Sequence, residues 1–307
     1  MRAILLVGLA LIASCVASPA ASKVEPQLYY HDAVGFDLAA RIKVNEEAAI
    51  EKLLENAIRG EPVESTGNRI VGGAAAASNS YPFLAGLIIS FVNVAGQSVC
   101  GSSLLSANRL VTAAHCWFDG RNQARQYEVV LGSQFIFFGG TRVHTQNVIM
   151  HPQWTPATLA NDVAMIYLPT NVLLSQSIQP VALPSDLHDT FAGQWAMAAG
   201  YGRTSDQQTG ITMSAEIFHV NLQIITVQQC MSVFGPTFVQ QSTLCTSGAG
   251  GVGICGGDSG GPLVVTQFGQ RVLVGISSFV NAAGCQLGSP SAFARVTSFH
   301  SFIQQHM

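Results

Sequence analysis

The chain has 307 residues, of which 48% are hydrophobic and 10% charged, and its formal net charge is -3. That length and apolar content allow a sizeable buried core and exclude a disordered chain. Because the sequence has no basic stripe and no long run of like charges, recognition of nucleic acid or of an anionic membrane by bulk charge is excluded too.

The N-terminus has the three-part layout of a secretory signal. Arg2 precedes an apolar run over residues 3–13, and small residues follow as far as Ala21. This apolar run is too short to cross a bilayer. We therefore predict a signal peptide over residues 1–17, with the cut placed to within about three residues. The protein is then secreted and extracellular.

Residues 18–69 form a separate, charge-rich segment that holds all three lysines and nine of the 17 acidic residues. Asn45 is a good helix N-cap, and Gly60 stops the apolar periodicity. Between them, apolar residues recur at helical spacing, namely Ile50, Leu53, Leu54 and Ile58. The pattern predicts one amphipathic helix. Packing of its apolar stripe on the following domain is favoured over binding to a separate partner.

Residues 70–307 have a different texture, with short runs of Val, Ile, Leu and Phe separated by Gly, Asn, Ser and Pro. Such runs predict strands and turns, and therefore an all-β domain, either a sandwich or a barrel. Helical periodicity returns only at the C-terminus, where Phe299, Phe302 and Ile303 follow Ser298. A short closing helix is predicted there.

The chain has seven cysteines, and one of them, Cys15, falls within the predicted signal peptide. The other six are Cys100, Cys116, Cys230, Cys245, Cys255 and Cys285. An even set in an exported chain indicates disulfides, although spacing alone leaves about fifteen possible pairings. No pair has the C-x-x-C spacing of a zinc site, so no metal site is expected.

Three short segments carry candidate catalytic residues: Thr112-Ala113-Ala114-His115-Cys116, Asn161-Asp162-Val163-Ala164, and Gly256-Gly257-Asp258-Ser259-Gly260-Gly261-Pro262. A serine hydroxyl is a weak nucleophile and needs an imidazole to take its proton. The imidazole in turn needs a carboxylate to fix its tautomer. Glycines beside the serine let backbone N–H groups approach a substrate carbonyl closely. His115, Asp162 and Ser259 are therefore the candidate triad.

The order His, Asp, Ser in these motifs resembles the chymotrypsin-like serine proteases, and the resemblance runs from Ile70-Val71-Gly72-Gly73 to the final helix. It implies two packed six-stranded antiparallel β-barrels with the active site in the cleft between them. It also implies that Ser259 is the nucleophile, His115 the general base and acid, and Asp162 the residue that orients His115. The backbone N–H groups of Gly257 and Ser259 would form the oxyanion hole.

The same resemblance implies three disulfide pairs: Cys100 with Cys116, Cys230 with Cys245, and Cys255 with Cys285. A fourth disulfide of the family is absent, since Ala196 and Val265 occupy its two positions.

The Arg69–Ile70 bond resembles the family's activation junction, which predicts a propeptide over residues 18–69 and a protease domain over residues 70–307. A trypsin-like protease would cut after Arg69, and the new Ile70 ammonium would pair with buried Asp258. No cysteine lies between Cys15 and Cys100, so the propeptide would have no disulfide tether.

The resemblance places Gly253 at the floor of the primary specificity pocket and Ser278, Val280 and Ser291 along its walls. Without a carboxylate at position 253, a substrate Lys or Arg has no partner in this pocket. We therefore predict chymotrypsin-like cleavage after Phe, Tyr, Leu or Met, with elastase- or collagenase-like specificity as the alternative. The stretch over residues 284–290 resembles arthropod digestive chymotrypsins and collagenolytic proteases, which suggests a digestive enzyme of the gut lumen.

The remaining expectations concern ligands and partners. Residues 132–138 contain no acid where calcium-binding relatives have glutamates, so neither calcium nor any other cofactor is expected. The expected partners of this monomer are protein or peptide substrates, a trypsin-like activating protease and protein inhibitors, with no nucleic acid and no membrane. A cascade protease is the main alternative role, and a non-catalytic protease homologue is disfavoured because all three triad residues are present.

Overall fold

The computed structural model describes residues 24–59, 73–203, 205–206 and 217–307. The predicted signal peptide lies outside these residues, as do Arg69 and Ile70. Within the described part, none of the helices combines the length and the apolar character that crossing a membrane requires.

The fold consists mainly of short antiparallel strands. The strands are β1 (Ala74–Ala75), β2 (Leu84–Phe91), β3 (Gln97–Ser106), β4 (Arg109–Thr112), β5 (Ala124–Leu131), β6 (Thr141–Thr145), β7 (Val148–Met150), β8 (Ala164–Tyr167), β9 (Trp195–Gly200), β10 (Phe218–Ile225), β11 (Thr243–Thr246), β12 (Pro262–Gln267), β13 (Gln270–Phe279) and β14 (Ser291–Arg295). The helices are α1 (Phe36–Arg59), α2 (Val227–Phe234) and α3 (Val296–Gln305).

The first sheet has the strand order β6-β5-β2-β3-β4-β8-β7 and curls into a half-barrel. Its central strands β2 and β3 are buried along almost their whole length, which explains their near-continuous apolar character. The register of β4 on β8 places Thr112 opposite Ala164. The chain therefore leaves β4 and enters β8 at the same edge of this sheet.

The second sheet closes on itself because β9 pairs with both β10 and β12. The short strand β1 adds to the edge of β10. Helix α3 begins at Val296 and buries Phe299 and Ile303, close to the position predicted from the sequence. The prediction of an all-β fold with two antiparallel barrels and a short C-terminal helix is confirmed, the first barrel being a half-barrel.

Helix α1 differs from its prediction in both its start and its buried face. It begins at Phe36, not at Asn45, and it packs on β3. Its buried residues are Leu38, Ala39, Ile42, Glu46 and Ala49. Half of the predicted stripe is wrong, since Leu54 and Ile58 are 60% and 86% exposed, whereas Ile50 and Leu53 are partly buried. The apolar spacing in the sequence did not reveal this docking face, because Glu46, near its centre, has a carboxylate. Charged residues also interrupt the first turns of α1.

Candidate active site

His115 and Asp162 are brought together by the edge of the first sheet. His115 lies in a 3-10 turn (Ala114–Cys116) just after β4, and Asp162 lies just before β8. The backbone N–H of His115 donates to Oδ1 of Asp162 at 2.9 Å, and Nδ1 of His115 lies 2.7 Å from Oδ2. Both side chains are buried. Two hydrogen bonds therefore fix the position of the imidazole and keep its proton on Nδ1.

Ser259 belongs to the second barrel and is held against the first. Its carbonyl accepts a hydrogen bond from the N–H of Gly101, on β3, at 2.7 Å. Gly260 has a φ of +75°, and a Cβ at this position would meet Thr112 Oγ1 and the carbonyl of Gly101. Glycine is required here because the two barrels approach each other too closely for a side chain.

The His115–Ser259 pair is not joined by a hydrogen bond in this structure. Nε2 of His115 is buried and lacks a hydrogen-bond partner among the described residues. The ring of Tyr30, from the segment before α1, lies edge-on to the imidazole with 5.3 Å between ring centroids. Residues 24–59, called the leader segment below, therefore contribute to the surroundings of the candidate triad.

Ser278 contacts the triad as well as the pocket. Its hydroxyl donates to Oδ2 of Asp162 at 2.5 Å, the same oxygen that faces His115 Nδ1. The sequence predicted only a substrate-binding role for Ser278. Its position near the end of β13 allows both, because Ser278 contacts Asp162 and also lines the cavity that contains Ser259.

Asp258, the predicted partner of Ile70, is a buried carboxylate held by two backbone donors. The N–H of Gly202 donates to Oδ1 and that of Cys255 to Oδ2, both at 2.9 Å. Burial raises the pKa of Asp258 to about 6, while these two hydrogen bonds act in the opposite direction. No ion pair reaches this carboxylate from any described residue.

Of the four predicted pocket residues, Ser278 and Val280 line a cavity together with His115 and Ser259, whereas Gly253 and Ser291 lie outside the lining of that cavity. A Cβ on Gly253 would lie 2.6 Å from Oγ of Ser291, which in turn accepts a hydrogen bond from the N–H of Ile254 at 3.2 Å. Val280 packs against the Cys255–Cys285 disulfide on the other side. Gly253 and Ser291 thus face each other directly, and a side chain at position 253 would narrow the space between them.

Three disulfides are formed in the pairs Cys100–Cys116, Cys230–Cys245 and Cys255–Cys285. The first ties the turn that carries His115 to β3, and the third ties the segment before Ser259 to the pocket wall. Ala196 and Val265, at the positions without a fourth disulfide, are buried in the core of the second barrel. Apolar packing occupies that part of the core.

Groups that could bind a cation are few in the described part of the chain. Two clusters of His, Asp and Cys side chains are compact enough, but their cysteines are all in disulfides and so cannot act as thiolates. In the stretch over residues 132–138, the N–H groups of Ile136 and Phe137 donate to the carboxylate of Glu46. Residues 132–138 therefore offer backbone hydrogen-bond donors to the Glu46 carboxylate of α1.

Sequence reasoning missed the leader residues near the triad. Tyr30 and His31 are both buried, and each makes a hydrogen bond to the protease body. The one local signal is compositional, since Tyr29-Tyr30-His31 is an aromatic cluster within a charge-rich segment.

Two packed β-barrels with a buried His–Asp pair beside a glycine-flanked serine define a serine endopeptidase with a Ser-His-Asp triad, an enzyme that acts on protein substrates. The profile of the family described as Trypsin matches residues 70–303, and the chain belongs to that family.

Similar proteins come from several animals. The collagenase of Hypoderma lineatum is 36% identical over 240 residues, which cover 78% of this chain and 87% of the relative. Brachyurin of Leptuca pugilator is 38% identical over 238 residues, which cover 76% and 97% of the two chains. A solved structure titled HL collagenase matches with a TM-score of 0.70 at 34% identity, covering 77% of this chain and 98% of that chain.

Proposed function

We propose that Ser259 is the nucleophile of this peptidase, with His115 as its general base and acid. The observation that carries the proposal is the pair of hydrogen bonds from His115 to Asp162 at 2.9 and 2.7 Å. With its Nδ1 proton held by Asp162, the imidazole has its basic lone pair on Nε2, the nitrogen that can take the serine proton.

The proposed reaction proceeds by acyl transfer. Oγ of Ser259 attacks the substrate carbonyl carbon as its proton moves to Nε2 of His115. The N–H groups of Gly257 and Ser259 stabilise the negative oxygen of the tetrahedral intermediate. His115 then gives the proton to the leaving amine, and the carbon–nitrogen bond breaks. Water, deprotonated by His115, releases the acyl group from Ser259 in the second half of the reaction.

Maturation is proposed to follow a cut after Arg69 by a trypsin-like protease. The free ammonium of Ile70 would then bind Asp258. In support, Asp258 is a buried carboxylate with a raised pKa, and an added buried cation would stabilise its charged form. Since Asp258 directly precedes Ser259, the new ion pair would order the oxyanion hole.

Cleavage after large apolar residues is the proposed specificity. Gly253 leaves the pocket floor without a carboxylate, so a desolvated Arg or Lys side chain has no partner. Collagenase-like cleavage is the second candidate, which the similarity to the Hypoderma collagenase favours. Secretion and a digestive role in the gut are proposed with it, since the three disulfides suit an oxidising compartment. The mature enzyme is also proposed to be a monomer that protein inhibitors control.

The test is activation with immobilised trypsin, followed by its removal and profiling of the product on a mixed peptide library. We expect a new N-terminus of Ile70-Val71 and cuts concentrated after Phe, Tyr, Leu or Met. Arg69→Gln blocks the proposed cut and should leave an inactive precursor. Full activity of that uncut variant would contradict the maturation step, and a dominant preference for Arg would contradict the pocket assignment.

A further inference from the structure

The leader segment adds a strand to the wall of the pocket. The N–H of Gln27 donates to the carbonyl of Val280 at 3.0 Å, and the N–H of Ala282 donates to the carbonyl of Glu25 at 2.9 Å. Between them, Pro26 and Asn281 form an antiparallel bridge. This is strand addition at a free edge. The family resemblance places Val280 on the wall of the substrate pocket, so the leader occupies an edge of the site that substrate would enter.

The chain then passes directly over the catalytic groups. Tyr30 is only 6% exposed, and its hydroxyl donates to the carbonyl of Val99 at 2.7 Å. The Tyr30 side chain lines the same cavity as His115 and Ser259, with 5.3 Å between the ring centroids of Tyr30 and His115. A substrate carbonyl cannot occupy the same place while Tyr30 is there.

The way in which the leader segment lies in the cleft is that of an inhibitor rather than that of a substrate. The group that the leader places in the cavity of His115 and Ser259 is the phenol ring of Tyr30, a side chain and not a scissile peptide bond. Tyr29, the preceding residue, has a φ of +51°. Its ring stacks under the Arg121 guanidinium at 3.7 Å, on the protease surface. The backbone therefore turns out of the extended form that a bound substrate would continue.

The leader segment also makes hydrogen bonds to the protease outside the cleft. The N–H of His31 donates to Asp119 Oδ2 at 3.0 Å, and its Nδ1 lies 2.8 Å from Oγ of Ser98. Helix α1 follows, and the carboxylate of Glu46 accepts from the N–H groups of Ile136 and Phe137 at 2.7 and 2.6 Å. Because Glu46 is fully buried, its loss would leave two backbone donors without a partner.

The leader also restrains the glycine proposed for the oxyanion hole. A Cβ on Gly257 would lie 2.8 Å from Cδ2 of Leu38, so this side chain of α1 packs directly on the Gly257 backbone. All the contacts above are made by residues 25–46, well before the Arg69–Ile70 bond. Cutting that bond removes none of them.

We infer that residues 24–59 form a non-covalent inhibitor that binds the substrate cleft and stays bound after the chain is cut. The inference extends the proposed maturation at Arg69, since it adds a second step in which the leader must dissociate or be degraded before substrate can bind. The cut would establish the Ile70–Asp258 pair, and release of the leader would open the cleft.

The test uses the chain from residue 24 to 307 with residues 65–69 replaced by Asp-Asp-Asp-Asp-Lys, so that enteropeptidase cuts before Ile70. Unlike trypsin, this enzyme should spare the basic residues of α1. Initial rates are measured after cutting at about 10 μM and after dilution to about 10 nM, where a micromolar complex would dissociate. Mass spectrometry confirms that the leader is intact. We expect specific activity to rise at least about tenfold on dilution.

Matched variants assign the effect to the leader contacts. Tyr30→Ala and Glu46→Ala should be active at both concentrations, whereas Glu47→Ala, at the neighbouring exposed position of α1, should behave as the wild type. Equally high specific activity at the two concentrations, matching that of Tyr30→Ala and with an intact leader, would overturn the inference.

A second measurement is independent of activity. In the Ser259→Ala chain, the cut leader should co-elute with the protease on gel filtration, and Tyr30→Ala should separate them. Separate elution without Tyr30→Ala would overturn the inference. Absence of activity at every concentration in both the cut wild-type chain and the cut Tyr30→Ala chain, by contrast, would overturn the proposed function, and the co-elution result would still decide the inference.

Discussion

Ser278 donates a hydrogen bond to Oδ2 of Asp162 at 2.5 Å, and this oxygen also lies 2.7 Å from Nδ1 of His115. One carboxylate oxygen thus joins the second barrel to the His–Asp pair of the first. The hydroxyl of Ser278 stabilises the charged form of Asp162, which in turn stabilises the imidazolium formed during catalysis.

Removing that hydroxyl should slow catalysis without unfolding the protein. We expect Ser278→Ala to lower kcat about tenfold to hundredfold, the range of one hydrogen bond to a charged group. The acid limb of the pH–rate profile should shift as well, because the Asp162 carboxylate that faces His115 loses a stabilising hydrogen bond. Ser277→Ala is the matched control, since its hydroxyl makes no hydrogen bond to any described residue. An unchanged kcat and pH profile for Ser278→Ala would contradict the positioning role.

Pocket size can be tested at Gly253. A Cβ here would lie 2.6 Å from Ser291 Oγ, so Gly253→Ala should narrow the floor. We expect kcat/KM for Phe substrates to fall by about tenfold or more, while substrates with Ala before the scissile bond change little. Paired substrates measured on one preparation provide the internal control. Equal losses for both would mean that Gly253 does not shape the pocket.

Substitution of Asp258 tests whether the proposed Ile70–Asp258 ion pair activates the cut enzyme. Asp258→Asn removes the anion proposed to bind the Ile70 ammonium but retains a side chain of the same size. The precursor should fold, as judged by near-ultraviolet circular dichroism, and should be cut after Arg69. The cut product should nevertheless lose about two powers of ten or more in kcat/KM, because a buried ammonium has no counter-ion. Asp186→Asn, at an exposed aspartate, is the control. A fully active cut Asp258→Asn enzyme would contradict the switch.

Glu46 should make the precursor's stability depend on pH. Burial raises the pKa of Glu46 to about 7, above the value near 4.3 of a free glutamate. A folded pKa above the unfolded one means that the contribution of Glu46 is complete below about pH 4 and is lost as pH rises through about 7. Glu46→Gln mimics the neutral form and does not titrate.

The measurement is urea unfolding of the wild-type and Glu46→Gln precursors at pH 5 and pH 8. Relative to the variant, the wild type should lose about 1–3 kcal/mol between these pH values. Arg142 and Tyr201 interact electrostatically with Glu46, and both chains contain them, so the comparison isolates the carboxyl of Glu46. His31 has its pKa lowered by burial to about 4, and its opposite contribution cancels because both chains contain it. A pH-independent difference would refute this account of Glu46.

Local patterns made much of this structure predictable. Strand-forming runs of Val, Ile and Phe are short-range signals, and the all-β architecture follows from them. The three sequence motifs identify His115, Asp162 and Ser259 as the candidate triad. Their proximity, however, depends on the pairing of β4 with β8 and on the contact between barrels, which only the family resemblance could supply.

The leader contacts could not be predicted, because they depend on a surface that exists only after the barrels fold. Tyr30 and His31 carry no local periodicity that points to the cleft. The predicted stripe of α1 did not include Glu46, whose carboxylate accepts from the backbone N–H groups of Ile136 and Phe137 and is buried there. Buried polar residues of this kind break the apolar pattern from which helix faces are predicted.

The central claim is that Ser259, activated by His115, is the nucleophile, and covalent labelling tests it most directly. The cut enzyme, freed of its leader, is treated with a fluorophosphonate and digested, and the modified peptide is sequenced by mass spectrometry. We predict a single adduct on Ser259 that forms in step with the loss of peptidase activity, and no adduct in Ser259→Ala or His115→Ala. Loss of activity with the label on another residue, or near-native activity of Ser259→Ala, would contradict it.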